Sequence, residues 1–152
     1  MFYTGIGSRD IPTHVALAQS YIANILGNLG YTLRSGHADG SDINFEKGAY
    51  KNNPSKTAIY LPWRGFRSDQ DLDQVNYFVL NDKAFEWARK QLKKSGVMPY
   101  FDTMTDINKA FHARNVFQVL GKEKIPSDFV VYYAPLDADG NVIGGTRTAV
   151  TA

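Results

Sequence analysis

Phe2-Tyr3-Thr4-Gly5-Ile6-Gly7-Ser8-Arg9 decides the fold. A short apolar segment runs into a glycine-rich turn, and Ile11-Pro12-Thr13 opens a helical pattern directly after it. The proline stands where a first-turn N–H needs no partner. Val15, Ala18, Ile22, Ile25, Leu26 and Leu29 then recur at helical spacing, and Gly30 stops the run. The pattern repeats. Residues 31–34 read as a second strand, Asp42 to about Tyr50 as a helix, and residues 57–61 as a third strand, capped by Pro62-Trp63-Arg64-Gly65-Phe66. Strands and helices alternating through short links argue for a parallel sheet with right-handed crossovers.

The second half is less regular. Residues 71–80 and 82–94 read as helices, the second ended by Ser95-Gly96-Val97-Met98-Pro99. Thr105-Asp106 is an N-cap pair for a helix to Leu120, with Gly121 as terminator. Residues 128–133 form a continuous apolar run, as expected of a strand deep in a parallel sheet. After the turn Asp137-Ala138-Asp139-Gly140-Asn141, Val142-Ile143 lead into Gly144-Gly145-Thr146-Arg147-Thr148-Ala149, the start of a helix. The expected fold is α/β: one Rossmann-like domain over residues 1–152, an open, mostly parallel sheet flanked by helices.

Composition narrows the function classes. The 152 residues are 43% hydrophobic and 21% charged, as in a folded globular domain. With no cysteine, neither a disulfide framework nor a thiolate metal site is possible. Seventeen basic against fifteen acidic residues leave a charge of +2 with no basic stripe, so nucleic acid is a possible but not a favoured partner. The N-terminus has no secretion-signal pattern, and no apolar run approaches the ~20 residues that span a bilayer. These features point to a cytoplasmic protein with no membrane partner. Three histidines without ligand spacing give no metal site, and no cofactor is expected.

Three glycine turns each follow a strand pattern and precede a helix pattern. They are Gly5-Ile6-Gly7-Ser8-Arg9, Ser35-Gly36-His37-Ala38-Asp39-Gly40 and Gly144-Gly145-Thr146-Arg147-Thr148. In an open α/β sheet ligands sit at the carboxyl ends of strands, where glycine lets backbone amides approach an anion and helix N-termini favour it. Ser8, Ser35, Thr146 and Thr148 offer hydroxyls, and Arg9 and Arg147 offer bidentate phosphate contacts. The turn at Gly7 is expected to lie outside the core, so that Gly7→Val would abolish binding with little loss of folding. Asp42 and Glu46 stand one helical turn apart, so both carboxylates can face one side. Each is a candidate for ribose contact or for N-glycosidic cleavage; the competing reading has Asp42 capping its helix and Glu46 pointing into water. Arg114 and Asn115 fall beside an apolar stripe, where they either cap backbone carbonyls or reach the ligand; His112 reads as a surface residue. Tyr60, Trp63 and Phe66 flank the third strand's end, where a base could stack or where they simply pack.

The motifs T-G-I-G-S-R, S-G-H-A-D-G-S-D followed by E-K-G-A, and G-G-T-R-T-A together resemble the SLOG superfamily, which joins DNA-processing protein A (Smf) to the Lonely Guy phosphoribohydrolases. The stretches Y-L-P-W-R-G-F and H-A-R-N-V-F-Q-V-L-G are similar to small stand-alone members, often phage-encoded, for which the location would be the host cytoplasm. The resemblance implies a Rossmann-like nucleotide-binding fold, and the candidate ligand contacts read from the residues are Gly5, Gly7, Ser8, Arg9, Ser35, Gly36, Asp39, Gly40, Asp42, Arg114, Asn115, Gly144, Gly145, Thr146, Arg147 and Thr148. Departures limit it. The Lonely Guy motif P-G-G-x-G-T-x-x-E lacks its glutamate here, so catalysis does not carry over. Relatives also continue past the late glycine turn into a full helix and a strand. The short run after it, ending at Ala152, is expected to pack near Ser8 and Arg9 or to be completed by another subunit, as in a homo-oligomer. The expectation is a binder of a nucleotide or nucleotide-derived signal such as an ADP-ribose-like molecule. The alternatives are a nucleotide N-glycosidase using Glu46 or Asp42, or single-stranded DNA binding.

Overall fold

A computed structural model of the chain describes residues 1–67, 76–143 and 146–147. β1 (Phe2–Gly7) leads through α1 (Thr13–Asn28) to β2 (Thr32–Ser35), and α2 (Ser41–Asn52) leads to β3 (Thr57–Leu61). There follow β4 (Tyr77–Val79), α3 (Asp82–Lys94), α4 (Asp106–Leu120) and β5 (Phe129–Tyr133). The strands lie in the order β4-β3-β2-β1-β5 and every pairing is parallel. An isolated antiparallel bridge joins Leu136 to Val142. The architecture is Rossmann-like.

Alternation along the strands builds a core on each face. Tyr3, Leu33, Ile59 and Leu61 pack with Ala23, Phe45 and Ala49 of α1 and α2. Ala58 and Tyr60 pack with Ala88, Leu92, Ala113, Val116 and Phe117 of α3 and α4. Each fully buried large side chain contributes about 1.5–3 kcal/mol. The chain steps outward from β1 to β4, then returns through α3 and α4 to the far side of β1. The direction of winding therefore reverses between β1 and β5.

Three expectations need correction. The helix expected over 71–80 gives way, in its described part, to a turn at Asn76 and to β4, whose Tyr77-Phe78-Val79 pair with Ile59, Tyr60 and Leu61; residues 71–75 lie outside the described part. The apolar run 128–133 is not deep in the sheet. Among the described residues β5 pairs only with β1, and Phe129, Tyr132 and Tyr133 are 36%, 43% and 41% exposed. Aromatic rings tolerate such an edge because their faces pack while their rims meet water. Third, α1 turns Gln19, Ala23 and Gly27 inward, with Ile22 and Leu26 beside them, and leaves Ile25 and Leu29 exposed. The cause is close helix packing. A Cβ on Gly48 of α2 would overlap the Ser20 carbonyl, so small residues must line this contact.

Arg34 holds the far end of α4. It is fully buried in β2, stacks over Phe2 at 3.9 Å and donates through Nη1 to the carbonyls of Val119 (2.9 Å) and Ile125 (2.7 Å). The Val119 carbonyl, in the last turn of α4, also accepts from the Ser127 amide (2.8 Å) and hydroxyl (3.1 Å), so Arg34 ties this helix end to the loop that follows it. Thr105 caps the other end through the Asn108 amide, and Gly121 terminates it, with φ +65.

Candidate functional site

In a doubly wound sheet the crevice outside the strand ends opens where the winding reverses. Here that place is between β1 and β5, and a crevice of about 610 Å³ lies there. Its lining includes Gly7 at the end of β1 with Ser8 and Arg9 after it, Ala38 before α2 and Asp42 in its first turn, and Pro135, Ile143 and Thr146 after β5. One face of α4 supplies Asn108, Phe111, His112, Arg114, Asn115 and Gln118.

The first turn is tied down on both sides. The Ser8 amide donates to the Tyr133 carbonyl at 2.7 Å, and the Ser8 carbonyl accepts from the Ser41 amide (3.1 Å) and hydroxyl (2.9 Å). The Ser8 amide is thus engaged in the fold, and the turn contributes the Arg9 side chain to the lining. Gly7 (φ +153) has no room for a side chain: a Cβ would run into the Tyr133 carbonyl and the Ser41 hydroxyl. The expectation of a harmless Gly7→Val is overturned on this ground. Gly40 (φ +77) is as confined, against the backbone of Arg9.

Asp42 is buried at the N-terminal turn of α2, where its Oδ2 accepts from the Ala38 amide and from Gln118 Nε2, both at 3.4 Å. Burial raises its carboxyl to a pKa of about 6, although the positive charge of Arg114 and the Ala38 amide pull the other way. Arg114 is also buried. It donates through Nη1 to the Gly36 carbonyl at 2.7 Å and through Nε to Asn115 Oδ1 at 3.0 Å. Loss of solvent lowers its pKa to about 10, opposed by Asp42, and it stays charged at neutral pH. The Phe111 ring has Arg9 at 4.9 Å and Arg114 at 5.6 Å. Burial and then the Arg114 charge push His112 below its ordinary pKa, so its imidazole is neutral at pH 7.

Glu46 goes elsewhere. It shares the inner face of α2 with Asp42, but it does not line the crevice. It is 8% exposed and does not point into water. His37 Nδ1 lies 2.8 Å from its Oε1, and the Tyr77 hydroxyl donates to its Oε2 at 3.0 Å.

The structure therefore brings Gly7, Ser8, Arg9, Asp42, Arg114, Asn115 and Thr146 to one crevice. Gly5, Ser35, Gly36, Asp39 and Gly40 are not in its lining. Ser35 is fully buried and donates its hydroxyl to the Gly5 carbonyl at 2.6 Å, while Asp39 pairs with Arg67 at 2.8 Å. Arg147 is exposed and also outside the lining; Gly144, Gly145 and Thr148 lie outside the described residues. Tyr60 packs between Phe78 and Phe117, and Trp63 and Phe66 pack on Phe111, so their rings are engaged with other rings. Sequence reasoning missed Asn108, Phe111, His112 and Gln118. Their spacing of three or four residues, in phase with Asn115, was the available signal: a polar and aromatic stripe along one side of the helix. Among the described residues no three His, Asp or Glu side chains are placed to hold a metal ion, and no helix is long and apolar enough to cross a membrane. No protein-family model, no curated protein and no solved structure matches the chain, so the resemblance to the SLOG superfamily rests on its motifs alone.

Proposed function

We propose that the chain binds a phosphate-containing nucleotide or nucleotide-derived signal, of the ADP-ribose kind, in the crevice outside β1 and β5. The observation that carries this reading is the grouping of Arg9 and Arg114 around Phe111, beside Asp42, at the point where the sheet reverses its winding. Guanidinium groups take phosphate bidentately, and an ionised Asp42 accepts hydrogen bonds from ribose hydroxyls. The volume is that of a small-ligand pocket. Mass spectrometry of ligand released from purified, denatured protein tests the reading, together with calorimetry using AMP and ADP-ribose. An intact nucleotide is expected, and Arg9→Ala should weaken binding about 10- to 100-fold, as for a lost charge-assisted contact. Equal affinity in wild type and Arg9→Ala would sink the proposal.

A second reading, nucleotide N-glycosidic hydrolysis, draws on the raised pKa of Asp42. A carboxyl that holds its proton near pH 6 suits a general acid: it gives that proton to the base as the N-glycosidic bond breaks, water adds to the anomeric carbon, and the proton the water sheds returns to the carboxylate. On this reading Asp42 acts and Glu46 does not. Chromatography for free base after incubation with nucleotides separates the two functions.

A further inference from the structure

α1 carries no Asp, Glu, Lys or Arg in its sixteen residues, yet its outer side faces water. Leu17, Tyr21 and Ile25 are 68%, 69% and 40% exposed, and Leu29 at the C-cap is 62% exposed. They recur every four residues and form one projecting ridge along the helix. Charge enters one helix back. Lys47 and Lys51 of α2 stand four residues apart beside Tyr21, in a groove of about 410 Å³ completed by Ser20, Asn24 and Gly48. Lys56, in the short turn Pro54–Lys56, brings its Nζ to the end of α1, where a Cβ on Gly30 would lie 3.8 Å from it. Among the described residues no carboxylate pairs with these lysines, since Asp42 and Glu46, the acids of α2, are buried. Like charges four apart on a helix repel, and only an anion from outside can relieve this pair.

We propose that this flank rests on a bilayer surface rich in anionic phospholipid, with the α1 ridge at the acyl boundary and Lys47, Lys51 and Lys56 on headgroup phosphates. Charge complementarity favours that occupant over a second copy. A two-fold contact would set the same lysines against each other, whereas an anionic surface neutralises all three. Shape favours it over a peptide. A docked peptide needs an apolar groove for its anchors, but here the apolar groups project and the depression beside them is lined by polar residues. A bilayer receives projecting groups. α1 carries no ion into the acyl boundary, and the long lysine stems on the neighbouring helix let their ammonium groups stay in the polar layer. Such a helix lies in the interface, so the attachment needs no spanning helix, and none of the described helices is one. No residue of this flank lines the crevice outside β1 and β5, which stays open to ligand.

Co-sedimentation with vesicles tests this. Phosphatidylcholine vesicles containing about 30% phosphatidylglycerol should carry the protein down at low salt and release most of it at about 0.5 M NaCl, where surface charge is screened. Each lysine near an anionic surface is worth about fivefold in partitioning, so pure phosphatidylcholine should bind about 100-fold less. Lys51→Glu should lower partitioning at least about fivefold, and Leu17→Ser or Tyr21→Ser about 5- to 30-fold, with circular dichroism unchanged. Lys90→Glu on α3 and Tyr100→Ser make the same kinds of change at exposed positions away from this flank. Both should stay within about twofold of wild type. No binding to the anionic vesicles at low salt would overturn the proposal. So would equal losses in Lys51→Glu and Lys90→Glu, the mark of net charge alone, or a lipid-free dimer that Tyr21→Ser dissociates, which would assign the ridge to a second copy.

Discussion

Replacing Asp42 with asparagine should make the protein more stable and a poorer binder at once. The carboxyl titrates at about 6 in the folded chain against an ordinary 3.8, so ionising it costs more in the folded than in the unfolded state. One pKa unit corresponds to about 1.4 kcal/mol, which puts the cost at about 3 kcal/mol once the group is fully ionised. Between pH 3.8 and about 6 the folded chain holds more protons than the unfolded one, so stability falls as pH rises through that window. Asparagine has the shape of the neutral acid and keeps an oxygen for the Ala38 amide and Gln118. Urea titrations of both proteins at several pH values should show the two stabilities converging as pH falls below 3.8. The variant should lead by about 3 kcal/mol at pH 7, a shift of roughly 6–12 °C in midpoint for a chain of this size. Calorimetry at pH 7 should show nucleotide affinity reduced at least about tenfold, since a charged acceptor for ribose hydroxyls is lost. A stability difference that does not change with pH, or a variant less stable at pH 7, would refute the reasoning.

Three further substitutions separate structure from site. Gly7→Val forces a side chain into the Tyr133 carbonyl and the Ser41 hydroxyl, and should cost about 3 kcal/mol or more; an unchanged thermal midpoint would contradict this. Arg34→Met keeps much of the volume but removes the donor to the Ile125 carbonyl and one of the donors to the Val119 carbonyl, at about 1–3 kcal/mol for a group left unpaired. Its urea midpoint should fall while nucleotide affinity in the folded protein holds. Glu46→Gln weakens the contacts to His37 and Tyr77 but touches nothing in the crevice. It should therefore leave calorimetric affinity within about twofold, well below the tenfold that marks a lost contact.

Much of the fold was legible because its signals are local. Thr57-Ala58-Ile59-Tyr60-Leu61 is apolar throughout and becomes a strand buried on both faces. Thr105 and Gly121 bound α4 where cap chemistry requires. The misreadings concern what lies opposite. Apolarity in residues 128–133 marks a strand but not its rank in the sheet, which depends on where the chain returns after α4. In α1 the large residues pointed to the wrong face, because the contact with α2 is so close that Gln19, Ala23 and Gly27 must fill it. β4 has three residues, too few for a period to show.

The two carboxylates of α2 carry the same lesson into the site. Asp42 and Glu46 are one turn apart on one helix face, and spacing alone gives them the same prospects. Their partners come from different parts of the chain. Asp42 meets Gln118 and the charge of Arg114, some seventy residues on in α4, at the edge of a crevice. Glu46 meets His37 from the turn after β2 and Tyr77 from the strand at the far side of the sheet. One carboxylate is buried with an opening to a ligand, the other buried among protein partners. Only the first can exchange its hydrogen bonds with an entering molecule, which is why the binding and proton chemistry proposed for this crevice is assigned to Asp42.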